Sequence, residues 1–157
     1  MQTTLAIPTP LTFKVPEVSY PRMRLSGSGM CTPSRLAALK HFVYVSPFLS
    51  EKYFPENATL CVWEDELVFF PVRRLSRVRK ILDKLGLRMP TYHHAATFGL
   101  RVKDSPVAGS ILFPHQPVVV PEMGECQTAF VLDGKCRYVC ACSLSVFKQP
   151  IWAVGLA

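Results

Sequence analysis

At 157 residues, with 49% hydrophobic and 18% charged side chains, the chain has the composition of one folded domain. A domain of that size buries roughly 68–70% of the surface that its unfolded form exposes, so it needs no metal or disulfide merely to stay folded. A disordered composition is excluded, no apolar run approaches the ~18 residues of a membrane-spanning helix, and the net charge of +7 favours an acidic partner.

Residues 1–31 carry Pro8, Pro10, Pro16 and Pro21, followed by a Ser/Gly run. Proline removes ladder donors and fixes the backbone, so this segment reads as edge strand or irregular structure, with a compact domain over 32–157. The opening "MQTTLAIPTPLTF" lacks a basic region followed by a cleavable apolar run, and a cytoplasmic or nuclear location is expected. There the sequon Asn57-Ala58-Thr59 is idle, and the six cysteines are thiols, ligands or transient redox groups.

"TPSRLAALKHFVYV" carries helix-start signals, Thr32 as N-cap and Pro33 at the first position, with a stripe of Leu36, Leu39, Phe42 and Val43. "ATLCVWEDELVFFPV" predicts two strands, about 58–63 and 66–72, around a turn at Glu64-Asp65. A helix over about 75–86 follows, closed by Gly86 and then Pro90. "HHAATFGLRV" and "GSILFPHQPVVVP" read as two further strands, and "CQTAFVLDGKCRYVCACSLSVF" as a hairpin around Asp133-Gly134. The expected fold is α+β: an antiparallel sheet of about five to six strands with two helices packed on it, in a single domain.

Charge is unevenly placed. Of 18 basic and 11 acidic residues in the chain, residues 73–103 hold nine of the basic ones: Arg73, Arg74, Arg77, Arg79, Lys80, Lys84, Arg88, Arg101 and Lys103. That stretch contains a single acid, Asp83. On a helical wheel Leu75, Val78, Ile81, Leu82 and Leu85 form an apolar arc of about 120°, with Arg77, Lys80 and Lys84 opposite it. Arg73 joins them if the helix starts early. A solvated surface helix would interleave acids with its bases and gain ~0.2–0.5 kcal/mol per pair. Basic residues at a helix N-terminus also oppose the macrodipole by ~0.3–1 kcal/mol. Residue choices that forgo local stability are expected where a ligand sets them.

The pattern points to a non-enzymatic, regulatory or accessory nucleic-acid-binding protein that uses the basic helix at about 73–88. RNA is favoured over DNA, because Tyr92, His93, His94 and Phe98 lie near enough to stack on unpaired bases. A protein-interaction adaptor docking the same helix on an acidic partner is the alternative. Arg73-Arg74-Leu75-Ser76 also fits the pattern preferred by basophilic kinases, and phosphate on Ser76 would cancel part of the charge.

Cys126, Cys136, Cys140 and Cys142 fall within 17 residues and suggest a zinc site or a redox switch, although the spacing lacks C-x2-C knuckles. Geometry narrows this further. A two-residue turn at Asp133-Gly134 pairs Leu132 with Lys135 and sends Cys126 to the opposite face from the other three. Only a bulged turn pairing Val131 with Lys135 brings Cys126 beside Cys140 and Cys142. Buried structural thiols are the competing reading. On a strand, His93 and His94 would point to opposite faces. No Walker loop, HExxH, nucleophile elbow or dinucleotide fingerprint occurs, so no catalytic residue is assigned and no cofactor is required.

Overall fold

The computed structural model describes residues 18–27, 35, 38–40, 42–50, 52–54, 63–134, 136–143 and 150–157. Within them seven strands form one sheet: β1 (Arg22–Gly27), β2 (Tyr44–Val45), β3 (Trp63–Val72), β4 (Gly109–Val120), β5 (Gly124–Asp133), β6 (Cys136–Ser143) and β7 (Ile151–Leu156). Their spatial order is β1-β3-β7-β4-β5-β6-β2. Two helices pack on it, α1 (Val78–Leu85) and α2 (Tyr92–Leu100), giving a single α+β domain.

The sheet is mixed, not purely antiparallel as expected, because β4 runs parallel to β7 and β2 parallel to β6. Both parallel pairs join segments distant in sequence, which no local turn signal announces. The count also exceeds five to six. β1 lies within the proline-rich segment, pairs as an edge strand with β3, and buries Met23 and Leu25. β7 begins directly after Pro150 and contains Gly155, and no sequence pattern marked it as a strand.

The central strands alternate between two buried faces, whereas the edge strand β1 exposes one of its own. Leu67, Phe69, Ile111, Phe113, Phe130 and Val154 face one side, where Ala95 and Phe98 of α2 cover them. Phe70, Val72, Leu112, Ala129, Ile151 and Ala153 face the other, where Val78 and Leu82 of α1 cover them. The two helices therefore lie on opposite faces of the sheet.

α1 forms where the sequence placed it, but its entry differs. A 3-10 turn over Leu75–Arg77 precedes it, and Arg74 is extended at φ −136°. Its exit is a Schellman motif: Gly86 adopts φ 66°, the Gly86 amide donates to the Asp83 carbonyl, and the Leu87 amide donates to the Leu82 carbonyl. Gly155 lets α1 settle onto β7. A Cβ there would stand 2.6 Å from Leu82 Cδ2 and 2.9 Å from Leu87 Cβ, closer than packed carbons tolerate.

Four expectations need correction. Glu64 and Asp65 make no turn; they sit inside β3, opposite Ser26 and Leu25 of β1. The segment read as a strand at "HHAATFGLRV" is helix α2, because Thr91 after Pro90 caps it and residues His94 to Gly99 are all buried. The predicted helix from Thr32 falls largely outside the described residues, and its expected end at Tyr44–Val45 is strand β2. Val43, placed on the apolar stripe, is 65% exposed. The hairpin turn lies one residue later than expected: Asp133 is not in the turn but ends its strand, paired with Cys136.

Candidate nucleic-acid interface

Strand β3 ends at Pro71-Val72 and releases the chain at Arg73, directly onto the face covered by α1. Burial of Val78 and Leu82, with Leu75, Ile81 and Leu85 half-buried, fixes the roll of the helix. Arg73, Arg74, Arg77, Arg79, Lys80 and Lys84 are consequently exposed. None has a carboxylate within ion-pairing distance among the described residues. The late helix start changes their grouping. Arg73 does not extend the Arg77-Lys80-Lys84 stripe; it joins Arg74 and Arg77 in lining a cleft of about 670 Å³ completed by Pro71, Val72, Ile81 and Pro150. Among the described residues no acidic side chain lines that cleft. Ser76 lies exposed within the 3-10 turn between Arg74 and Arg77.

The other three basic residues are elsewhere. Arg88 Nη2 donates to Asp65 Oδ1 at 2.6 Å and reaches the Ala157 carbonyl at 3.4 Å. Arg101 pairs with Asp104 at 3.3 Å and donates to the Arg24 carbonyl. Lys103 follows α2 in a 3-10 turn whose Val102 packs in the α2-side core, on the far face from α1. The basic run between residues 73 and 103 is thus divided by the sheet into six cations without an ion pair among the described residues and three separated ones.

The residues proposed to stack on bases divide likewise. Phe98 is fully buried, with ring centroids 5.1 Å from Phe113 and 5.0 Å from Phe130. His94 is buried against Trp63, with ring centroids 4.5 Å apart. Tyr92 and His93 are half-buried and line a cavity beside β4. On a helix, neighbouring His93 and His94 diverge by about 100° rather than pointing to opposite faces of a strand.

His94 closes a polar chain that locks the start of α2. Its Nδ1 accepts from the Thr91 amide at 3.0 Å and from the Thr91 hydroxyl at 2.7 Å, while Nε2–H donates to Asp65 Oδ2 at 3.0 Å. This is a capping box with histidine as the acceptor. Burial pushes His94 below the usual histidine range, outweighing the attraction of Asp65. Burial also pulls Asp65 upward, but its hydrogen bonds from His94 and Arg88 prevail and hold it below the usual carboxylate value. The second buried imidazole, His115, donates Nδ1–H to the Gln116 carbonyl and accepts the Thr128 amide at Nε2, 2.9 Å away. Burial lowers it too.

Both histidines are neutral in the fold, so between their lowered values and about 6.5 the unfolded chain binds protons that the native one does not. Stability therefore falls as pH drops through that window. The thermal midpoint should be lower at pH 5 than at pH 7.5, and thermal melts of a His115→Gln variant should show a weaker pH dependence. An unchanged midpoint across that range would contradict the assignment.

The hairpin register decides the geometry of the cysteines. Cys126 pairs with Ser143, and Cys140 with Ala129, so Cys126 lies on the α2 side of the sheet and Cys140 and Cys142 on the α1 side. The bulged register that would gather Cys126, Cys136, Cys140 and Cys142 is not adopted. Among the described residues no three His, Cys, Asp or Glu side chains converge. Cys126 is fully buried and its thiol is raised by that burial. Cys140 and Cys142, two apart on one face, share a hydrogen bond that lowers the first and raises the second. Cys136 is exposed.

No described helix is long and apolar enough to cross a membrane. No protein-family model, curated protein or solved structure matches the chain, so the functional reading stands on these side chains alone.

Proposed function

We propose that the protein is a non-enzymatic nucleic-acid-binding protein of regulatory or accessory type, acting in the cytoplasm or nucleus and preferring RNA to DNA. Arg73, Arg74, Arg77, Arg79, Lys80 and Lys84 hold its phosphates. One observation carries the reading: three arginines line a single open cleft that has no carboxylate among its described lining residues. Unpaired, clustered guanidinium groups repel one another, and a phosphate relieves this by accepting two parallel N–H donors from one fork. Lys80 and Lys84 extend the positive surface along α1, so a backbone of several phosphates is matched better than one isolated anion. Ser76, exposed among these arginines, gives the site a point of control, since a phosphoryl group there would occupy the guanidinium groups itself.

The test is a salt titration of the unmodified protein on single-stranded RNA, duplex DNA and poly-glutamate. Neutralising four to six phosphates of a single strand predicts a log–log salt slope of about −3 to −4. Affinity for RNA should then drop on the order of 100-fold between about 50 and 200 mM salt. A flat response would reject the proposal, and tighter binding to poly-glutamate than to RNA would transfer the face to an acidic protein partner.

A further inference from the structure

We infer that a second part of the same ligand, an unpaired base, enters the cavity between the N-terminal end of α2 and β4; this rests on the phosphate reading above. The cavity measures about 560 Å³ and is walled by Phe54, Tyr92, His93, His115, Pro117 and Val118. That size lies within the range of small-molecule sites, which are mostly apolar with a few placed polar groups. Its aromatic wall is rigidly packed: Phe54 lies 4.8 Å from Tyr92, centroid to centroid, and His115 meets both edge-on at 5.9 and 6.1 Å, so the half-buried Tyr92 and His93 are the rings on which a base can stack. The exposed Gln116 at its mouth can reach the hydrogen-bonding edge of a base.

Its position relative to the cations selects the occupant. A smaller cavity of about 250 Å³ opens on the α1 side, lined by Arg79, Val78 and Leu82. Met89, His115 and Pro117 line both cavities. These shared walls stand where the chain, having left α1 at Gly86, pairs Arg88 with Leu156 and then starts α2. A strand of RNA held on Arg79 and its neighbours therefore runs beside an aromatic pocket, which is how single-stranded binders combine a charged track with stacking platforms. A duplex keeps its bases inside and cannot use the pocket. The geometry thus assigns single-stranded RNA, or an unpaired loop, as the ligand class.

The experiment compares a short single-stranded RNA with a ribose-phosphate oligomer of equal length in which every nucleotide is abasic. The unmodified protein should bind the RNA about 5- to 150-fold more tightly, the range set by one stacked base. His93→Ala, which removes one wall, and Val118→Trp, which fills the space, should each shrink that ratio to below about 3-fold while leaving the salt slope unchanged. Thermal melts establish that each variant is folded, and His93→Ala alone suffices if the larger side chain is not accommodated. Equal affinity of the unmodified protein for both oligomers, with a steep salt slope, would overturn the base pocket and leave the phosphate track standing. Failure to bind either oligomer would overturn both.

Discussion

Replacing Phe98 with alanine should lower the unfolding free energy by about 3–5 kcal/mol, the cost of a lost ring plus the cavity it leaves. Phe98 is fully buried at the centre of the α2-side core, where its ring contacts those of Phe69, Phe113 and Phe130. Domains of this size are stable by only about 5–15 kcal/mol, so the variant would be marginal. Urea denaturation should show a lower midpoint at an unchanged slope, and the thermal midpoint should fall by about 10 °C. Phe98→Leu keeps most of the volume and should cost less than about 1.5 kcal/mol. If Phe98→Ala proved as stable as the parent but bound RNA poorly, the residue would belong to the binding surface after all.

The largest effect on binding is expected from Arg73, Arg74 and Arg77 changed together to glutamine. Each phosphate contact removed takes about 0.7 from the magnitude of the salt slope on a single strand, so the triple variant should lose about 2. Binding at about 50 mM salt should weaken by one to two orders of magnitude. Stability should scarcely move, because all three side chains are exposed and surface substitutions usually stay within about 0.5 kcal/mol. The matching control is Arg88→Gln with Arg101→Gln. These two cations are held by Asp65 and Asp104, so their loss should leave RNA affinity within about 2-fold and the slope almost unchanged. Equal damage from both sets would show that total charge, rather than the cleft, governs binding.

What could be read from the chain beforehand divides along physical lines. α1 was legible because everything that specifies it is local: a 3.6-residue apolar period, a cationic far side and Gly86 at the exit. α2 was not, because six of its nine residues are buried, which erases the amphipathic period and leaves a short apolar run whose Tyr92, Thr97 and Phe98 favour a strand. The only local clue was Thr91 after Pro90. The placement of β7 in mid-sheet depends on partners more than 30 residues away, as does the parallel pairing of β2 with β6. The candidate site follows the same rule. Exposure of Arg77, Lys80 and Lys84 followed from the helix period, whereas the grouping of Arg73 and Arg74 with Arg77 depends on the extended Arg74 and the 3-10 turn before the helix. The capture of Arg88 by Asp65, 23 residues earlier, did not, because the expected turn at Glu64-Asp65 pointed that carboxylate nowhere in particular. The thiols show how sharply a hairpin depends on its turn, since a one-residue slip exchanges the faces of a strand.

β7 is made after every other described strand, yet it holds the middle of the sheet, between β3 and β4. While the ribosome is still upstream of residue 151, the hairpin side and the β1–β3 side have no common neighbour, and the surface beneath α1 waits half-built. The arginines of the cleft thus acquire their foundation late. Newly made chains should be exposed to proteases and to self-association until residues 151–156 clear the exit tunnel, when both halves can close around them together.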